Sequence, residues 1–282
     1  MPPFDFAGKT SLVTGASSGL GAEFARQLAA RGSDLVLVAR SADRLEALAE
    51  DLRARHRVAV TSLPADLSLP GEVSRVAAFT ATTEVNVLVN DAGFGTYGPF
   101  ANLDGGREHA EVMVNAMAPV DLAHAVLPGM LARRSGGIIT VASSIAFQPS
   151  PRHAVYGASK AFALSFSEAL WAETRGSGVR VLALCPGPVA TGFLAGLGDQ
   201  AATTSSVYRR GAEPGGIVRA GLRGFDRDAM TVVPGLRTRF LSQGYRFLPR
   251  TVMVRMTGRM LAPSSTPARH GERQAGARAT SA

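Results

Sequence analysis

Tyr156 and Lys160 are the residues of this chain whose types and spacing most directly suggest chemistry, because they stand four positions apart. This spacing places two side chains on one face of a helix, one turn apart. A free phenol has a pKa of about 10 and is a poor acid or base at neutral pH unless a nearby cation favours the phenolate. Lys160 supplies such a cation, so the pair predicts a tyrosine that exchanges a proton with a bound oxygen group. An ordinary surface pair is the alternative.

A serine follows a predicted strand in the same part of the chain. Ser143 comes directly after the apolar segment 137–142, with Ser144 as its neighbouring competitor. Ligands bind at the carboxyl ends of strands in doubly wound sheets, so a hydroxyl here is able to reach a substrate carbonyl. The spacing to Tyr156 favours Ser143 as the catalytic serine.

Asn115 is a polar residue in an otherwise apolar helical segment, 112–116. One interpretation is that its side chain bonds locally to the backbone and distorts the helix. A second, catalytic interpretation follows only from a family resemblance, and we favour it.

A glycine-rich turn follows the first predicted strand and opens a helix. Glycines allow a pyrophosphate to approach the backbone closely, and a helix N-terminus supplies N–H groups and partial positive charge. A plain tight turn is the alternative. The predicted dinucleotide contacts in this turn are Gly15, Ser17, Ser18, Gly19, Leu20 and Gly21.

Arg40 ends the second predicted strand at a position where NAD-binding folds carry a carboxylate for the ribose hydroxyls. A guanidinium group pairs with a 2′-phosphate, whereas a carboxylate would repel it. The sequence therefore favours NADP(H) over NAD(H) as the cofactor. The alternative is that Arg40 is a solvated residue at the start of a helix.

The elements that must position these residues are short β-branched segments that alternate with longer helical patterns, as in repeated βαβ units. Predicted strands cover 11–15, 33–39, 58–63, 85–90, 137–142, 179–185 and 230–234. Predicted helices cover 20–31, 42–55, 71–82, 105–133 and 155–174. This pattern predicts an α/β protein, a single-domain Rossmann-like fold with a doubly wound, seven-stranded parallel sheet and helices on both faces.

The Gly-x-x-x-Gly-x-Gly turn and the order Asn115, Ser143, Tyr156 and Lys160 resemble the classical short-chain dehydrogenase/reductase family, over about residues 8 to 234. The resemblance implies that these four residues are a catalytic tetrad in which Asn115 positions a water of the proton relay. It also implies hydride transfer between a nicotinamide and a carbonyl or alcohol, with no metal.

The resemblance extends to three further segments. Asp66 and Leu67 match a position that contacts adenine, although Asp66 could instead cap the next turn. The segment 90–93 resembles the family's Asn-Asn-Ala-Gly, with Asp91 in place of the second Asn, and 186–191 resembles its Pro-Gly-to-Thr segment. The implied cofactor contacts are Asn90, Ala92, Gly93, Pro186, Gly187, Val189 and Thr191, of which the last two hold the nicotinamide carboxamide.

The loops 94–103, 146–154 and 191–225 should select the substrate, and their apolar character favours a lipophilic ketone, aldehyde or alcohol. The segment 191–225 is rich in Gly, Ser and Thr, which predicts a mobile insertion. A ketoreductase that acts on carrier-bound acyl groups is one alternative. Another is a cofactor-sensing interaction protein on a Rossmann scaffold.

The net charge of +8 has a local origin. Residues 235–282 hold nine Arg and one Glu, whereas the preceding residues balance to zero, so we expect no nucleic-acid binding. We expect 235–262 to be a basic C-terminal extension and 263–282 to be a disordered tail. The extension mixes Arg with apolar residues, which fits either peripheral contact with an anionic membrane or a helix docked on its own subunit.

The N-terminal segment lacks a basic region followed by an apolar one, and no uninterrupted apolar run is long enough to cross a bilayer. The single Cys185 excludes a disulfide scaffold and a zinc ribbon. These features predict a cytoplasmic protein, with the membrane surface as a second location. The family resemblance implies a homo-oligomer, a dimer or tetramer paired through the helices 105–133 and 155–174.

Overall fold

Seven strands form one parallel sheet in the computed structural model, which describes residues 2–190, 211–244 and 249–262. Their order across the sheet is β3-β2-β1-β4-β5-β6-β7. The strands are β1 (Thr10–Thr14), β2 (Asp34–Ala39), β3 (Val60–Pro64), β4 (Val87–Asn90), β5 (Gly136–Val141), β6 (Val179–Leu184) and β7 (Thr231–Val232). The predicted sheet is confirmed, and each strand bound lies within two residues of its predicted position.

Helices cover both faces of this sheet, as expected for right-handed crossovers between parallel strands. They are α1 (Gly19–Ala29), α2 (Ala42–His56), α3 (Pro70–Thr82), α4 (Gly105–Val112), α5 (Ala118–Arg133), α6 (Ala154–Glu173), α7 (Pro214–Asp226), α8 (Leu236–Gly244) and α9 (Arg250–Met260).

Neighbouring residues of β1 show how the sheet separates two apolar layers. Val13 packs into the cluster that includes α1, α2 and α7, whereas Leu12 packs into the cluster that includes α3 and α5. Both side chains are fully buried. Because successive residues of a strand face opposite sides, a strand buried on both faces must be apolar throughout.

The strand order reverses between β1 and β4, which are paired along their lengths. Crossovers on the two sides of this point diverge, leaving a crevice at the carboxyl ends of the strands, where ligands of doubly wound folds bind. The predicted glycine turn follows β1 and the segment 90–93 follows β4, so the fold brings both to this crevice.

The prediction of a mobile insertion over 191–225 is wrong for its last part. Residues 214–226 form α7, which buries Ile217, Val218, Leu222 and Phe225 against the sheet. The sequence did not reveal this helix because it contains glycines 215, 216, 221 and 224, and glycine lowers helix propensity. At Gly224 the packing itself requires glycine, since a Cβ there would lie 2.3 Å from the Val232 side chain. Residues 191–210 and the predicted disordered tail 263–282 lie outside the described residues.

The long predicted helix 105–133 is interrupted by a π-helical turn, Met113–Met117, between α4 and α5. The chain stays helical through this turn, and the whole segment 105–133 is long and apolar enough to cross a membrane by length and composition alone. Its residues Leu122, Ala123, Val126 and Met130 are buried in the core beside the sheet. The packing therefore accounts for its apolar composition.

The basic extension forms α8 and α9. The hydroxyl group of Tyr97 donates a 2.5 Å hydrogen bond to the carbonyl of Leu261, directly after α9. Met253 and Thr257 form the buried side of α9. The two helices thus close one side of the crevice.

Candidate active site

The crevice contains a pocket of about 720 Å³ at the carboxyl ends of the strands. The turns after β1, β2, β3, β4, β5 and β6 line it, together with α6, α8 and α9. Ser143, Tyr156 and Lys160 all lie in its wall, in the same pocket as the glycine turn. A nucleotide and a second small molecule would therefore share one space.

The glycine turn is built by close backbone contacts. Gly15 has a φ of +70°, and a Cβ there would lie 2.9 Å from the Cα of Ala92. A Cβ on Gly21 would lie 2.4 Å from the carbonyl oxygen of Gly15. Neither contact tolerates a side chain, so these positions require glycine.

The first turn of α1 is open to the pocket. Ser17, Ser18, Gly19 and Leu20 line it, and among the described residues no side chain caps the helix at Ser18. An uncapped N-terminus that faces a cavity is suited to an anion such as a pyrophosphate. Gly21 itself does not line the pocket, contrary to its predicted contact role; it permits the close packing of the turn.

Asp91, which the sequence analysis noted only as a replacement for the family's second Asn, lies against this turn. It lines the pocket and its carboxylate accepts a hydrogen bond from the backbone N–H of Gly21. Burial raises its pKa to about 7, against the opposing effects of the Lys160 ammonium and the Gly21 hydrogen bond. A carboxyl group with a raised pKa therefore lies at the helix end expected to receive an anion.

Arg40 and Arg44 line the pocket beyond the end of β2. Arg44 was missed by the sequence analysis because it lies one helical turn further, on α2, where arginines are common. Two guanidinium groups at one end of the pocket suit a phosphate monoester.

Asp66 and Leu67 line the pocket beside these arginines. Asp66 also caps its own turn, because its Oδ1 accepts hydrogen bonds from the backbone N–H and the hydroxyl of Ser68 at 3.0 and 2.7 Å. Burial opposes ionisation, but these hydrogen bonds and the charge of Arg40 leave the pKa of Asp66 below its usual value. Both interpretations of Asp66 are thus compatible with the geometry.

Lys160 is buried, and its Nζ donates a 2.8 Å hydrogen bond to the carbonyl of Val141. Burial lowers the pKa of the ammonium, while the carboxyl groups of Asp91 and Glu111 raise it. The Nζ atom lies 6.0 Å from the centre of the Tyr156 ring. The ammonium is therefore close enough to stabilise a phenolate electrostatically.

Asn115 sits in the π-helical turn, behind the pocket wall. Its Nδ2 donates to the carbonyl of Phe94 at 2.9 Å and to the hydroxyl of Ser159 at 3.1 Å, and its Oδ1 accepts from the N–H of Phe94 at 3.2 Å. The side chain of Asn115 thus bonds to the loop at Phe94 and to α6, and not locally as the first interpretation supposed; its role in proton transfer stays a prediction. A Cβ on Gly93 would lie 2.8 Å from its Oδ1 and 3.3 Å from Lys160 Nζ, so Asn115 is next to the lysine.

Both candidate serines line the pocket. The Oγ of Ser143 accepts a 3.3 Å hydrogen bond from the N–H of Ile145 and caps a short 3-10 turn. The backbone N–H of Ser144 donates to the carbonyl of Pro186 at 2.8 Å. The choice of Ser143 stays a prediction.

The remaining predicted cofactor contacts separate into two groups. Ala92, Gly93, Pro186, Gly187 and Val189 line the pocket. Asn90 does not: its Nδ2 donates to the carbonyl of Pro119 at 3.4 Å, so it links β4 to α5. Thr191 lies outside the described residues.

His153 packs beside the site, against Tyr156. It is fully buried, its Nδ1 donates to the carbonyl of Thr96 at 2.7 Å, and its ring centre lies 5.8 Å from that of Tyr156. Burial lowers its pKa to about 4. A neutral imidazole therefore supports the Tyr156 ring without adding charge.

Glu108 and Glu111 are two buried acids on α4. Within the described part of the chain, no hydrogen bond of normal geometry reaches their carboxylate oxygens. Burial raises the pKa of Glu111 to about 7, and the charge of Glu108 adds to the shift, while Thr96 and Lys160 oppose it. Only tertiary burial reveals this pair, since the sequence shows them as ordinary polar residues of a helix.

Comparisons with known proteins agree with this geometry. A family model described as short chain dehydrogenase matches residues 9–202. The human inactive hydroxysteroid dehydrogenase-like protein 1 (Homo sapiens) is 34% identical over 191 residues, which are 67% of this chain and 58% of that protein. Very-long-chain 3-oxoacyl-CoA reductase from Bos taurus is 31% identical over 188 residues, which are 65% of this chain and 60% of the reductase.

Among solved structures, a short-chain dehydrogenase from Sphingobium yanoikuyae in complex with NADPH has a TM-score of 0.77 and 34% identity, and the match covers 84% of this chain and 92% of that one. The chain spans less than two thirds of the length of the curated relatives that it matches. The matched family segment nevertheless contains the sheet through β6, the glycine turn and all four predicted catalytic residues. This chain is a member of the short-chain dehydrogenase family.

Proposed function

We propose that this protein is an NADP(H)-dependent oxidoreductase that interconverts a carbonyl and an alcohol on a small lipophilic substrate. The observation that carries the proposal is that Ser143, Tyr156 and Lys160 line the same pocket as the glycine turn at the N-terminus of α1. A pocket that combines an anion-binding helix end with an activated phenol suits a dinucleotide and a substrate oxygen together.

The cofactor proposal rests on donor chemistry. Ser17, Ser18, Gly19 and Leu20 would hold the pyrophosphate, and Arg40 with Arg44 would hold a 2′-phosphate. When bound, the nicotinamide supplies or accepts the hydride, while the protein provides orientation and proton transfer. The NADPH named with the Sphingobium yanoikuyae structure supports the same choice.

The mechanism assigns proton transfer to the chain's own residues. Ser143 and Tyr156 donate hydrogen bonds to the carbonyl oxygen of the substrate, and Tyr156 gives its proton as negative charge develops there. Lys160 stabilises the resulting phenolate through its buried charge. Asn115 is hydrogen-bonded to the loop at Phe94 and keeps that loop in place next to Lys160. The proton that Tyr156 gives to the substrate is replaced through this region.

The substrate proposal rests on the apolar part of the pocket. Phe94, Val114, Ile145, Leu241, Met260 and Leu261 line it. Such a wall favours a ketone, aldehyde or alcohol with a large apolar body, because burial of apolar surface drives binding. Relatives named for hydroxysteroid and 3-oxoacyl-CoA substrates support the same class, and an acyl group on a carrier is the nearest alternative.

A cofactor-sensing protein without turnover is the second candidate, because two relatives are named inactive. Such a protein would bind NADP(H) but would not consume it. The presence of Tyr156, Lys160, Ser143 and Asn115 favours the enzyme.

The oligomer proposal rests on exposed apolar side chains. Val112, Met117 and Phe162 are each about 40% exposed on the 105–133 and 154–173 helices. We propose a dimer or tetramer paired through these helices. Light scattering after size-exclusion chromatography should give a multiple of 29.3 kDa, which Phe162→Ser should reduce.

Oxidation of NADPH and of NADH against a panel of apolar ketones and aldehydes, with a sugar ketone for contrast, tests the function directly. We expect turnover of the apolar compounds with NADPH. Cofactor binding with no turnover of any compound would favour the sensor, and preferential use of NADH would refute the cofactor proposal.

A further inference from the structure

The outer side of α8 is the most exposed apolar surface in the described part of the chain. Leu236 is 87% exposed and Phe240 is 79% exposed. They stand four residues apart, on one face of the helix. Large apolar side chains so exposed mark an interaction site, because their contact with water is unfavourable.

Positive charge borders this apolar face on both sides. At about 100° per residue, Arg237 and Arg239 fall to the left and right of the line from Leu236 to Phe240, and both are exposed. An apolar strip flanked by arginines is the arrangement of a helix that lies in the interface of a membrane, with its apolar side among acyl chains and its cations at the headgroups.

The neighbouring helix α9 repeats this composition. Val252 and Met256 are each 42% exposed, and Arg250, Arg255 and Arg259 are also exposed. Residues 235–262 contain six arginines and no acidic residue. Such a segment is complementary to an anionic surface.

From these observations we propose that α8, supported by α9, docks this protein onto an anionic phospholipid surface. The charge pattern disfavours a second copy of the chain as the occupant. A two-fold contact through α8 would bring Arg237 and Arg239 of one copy against those of the other, and like charges repel. Nucleic acid would satisfy the arginines but leave Leu236 and Phe240 without an apolar partner.

The two helices also form part of the pocket wall, so docking on a membrane would affect access to the pocket. The opposite side of α8 places Thr238, Leu241 and Ser242 in the pocket wall, and α9 adds Thr257, Met260 and Leu261. A docked molecule would therefore have one side of its pocket next to the lipid. Direct uptake of an apolar substrate from the membrane rests on the proposed function, whereas docking itself does not.

Co-sedimentation of the full chain with vesicles tests the proposal. We expect binding to phosphatidylcholine vesicles that contain phosphatidylserine, little binding to phosphatidylcholine alone, and weaker binding at high salt. The double variant Arg237→Gln/Arg239→Gln should lower the partition coefficient about 30-fold, since each cation near an anionic surface contributes a factor of about five. Leu236→Ser/Phe240→Ser should lower it at least about tenfold.

Two double variants serve as matched controls. Arg223→Gln/Arg227→Gln removes two exposed charges at α7, and Leu69→Ser/Met230→Ser removes two exposed apolar side chains next to α3 and β7. Both should bind vesicles as the unchanged protein does. None of the four altered α8 side chains lines the pocket, so turnover of a water-soluble carbonyl and the thermal midpoint should be unchanged and show that the variants fold.

Three outcomes would overturn docking on lipid. The first is that the unchanged protein fails to bind anionic vesicles, or that control and α8 variants lose binding equally. The second is that Leu236→Ser/Phe240→Ser leaves vesicle binding unchanged but lowers the molar mass measured by light scattering without lipid. That result would assign the apolar face of α8 to contact with a second copy of the chain. The third is arginine-dependent binding to duplex DNA without vesicle binding. Because none of these readouts measures turnover, failure of docking is distinct from failure of the proposed function.

Discussion

Lys160 Nζ donates a 2.8 Å hydrogen bond to the carbonyl of Val141, the last residue of β5, two positions before Ser143. This bond ties α6 to the end of the strand that carries the serine. The ammonium, the phenol of Tyr156 and the hydroxyl of Ser143 are thereby held by one pair of packed elements. Preorganised groups of this kind stabilise developing charge without rearrangement during the reaction.

Removal of the Tyr156 hydroxyl tests the proton donor. Tyr156→Phe should reduce kcat by about 10² to 10⁴-fold, the usual contribution of a positioned general acid. Because the ring is kept, NADPH affinity and the thermal midpoint should change little. Steady-state kinetics and fluorescence titration of NADPH measure the two quantities, and turnover at the original rate would contradict the mechanism.

The two arginines at the end of β2 should set the cofactor preference. Arg40→Gln and Arg44→Gln should each weaken NADPH binding about 10- to 100-fold, in line with about 1.5 to 3 kcal/mol for a hydrogen bond to a charged group. Binding of NADH, which lacks the 2′-phosphate, should hardly change. Arg55→Gln on the same helix is the control, since Arg55 pairs with Asp51 outside the pocket. Equal losses for both cofactors would disprove the assignment.

Asp91 should link cofactor binding to pH. Its pKa is raised to about 7, so above that pH its carboxylate becomes charged beside the helix end that would receive the pyrophosphate. The dissociation constant of NADPH should therefore rise with pH above about 7, by at most tenfold per pH unit because one proton is involved.

Asp91→Asn keeps the shape of the side chain and removes this titration. Calorimetric titrations from pH 6 to about 9 should show a flatter dependence for the variant. A slope identical to that of the unchanged protein would assign the effect to another group.

Glu111 should make the fold less stable as pH rises. Its pKa in the folded state, about 7, exceeds the ordinary Glu value of 4.5, so the folded state binds more protons than the unfolded chain between these values. Stability from this group is therefore lost as pH rises through this window, and the loss is complete above pH 7. Glu111→Gln should raise the unfolding free energy at pH 8 but not at pH 4.

Denaturant unfolding at the two pH values measures the effect of Glu111. The exposed residue Glu50 on α2 offers the control Glu50→Gln, which should leave the pH dependence unchanged. A stabilisation of the same size at both pH values would show that packing and not ionisation is responsible.

Gly137 in β5 should tolerate no side chain. A Cβ there would lie 2.3 Å from the Phe225 ring of α7 and 2.8 Å from the carbonyl of Arg180. Gly137→Ala should destabilise the protein by about 1 to 3 kcal/mol, as overpacking does. Gly71→Ala in α3 has open space around it and should be neutral or stabilising. Thermal unfolding compares the two, and equal effects would refute the packing of α7 on β5.

Much of the fold could be predicted because its signals are local. The predicted strands 33–39 and 179–185 were expected in a sheet with helices on both faces, and residues 35–39 and 179–184 are indeed buried there. The α7 helix was missed, since glycines at its packing surface look like loop residues when their neighbours are unknown. Asn90 and Gly21 were assigned to the cofactor because both lie in motifs, yet their contacts serve the packing of the sheet and the turn.

The amino-acid sequence by itself determined which groups share a helix turn or a strand end, as with Tyr156 and Lys160, because such neighbours are set by backbone periodicity. Only the tertiary structure decided that Asp91 and Glu111 lie near Lys160, and that Arg44 lines the same pocket as Arg40. The physical reason is that burial and long-range electrostatic contacts depend on which elements pack together. Those contacts set the pKa values of the site, and they join residues far apart in the chain.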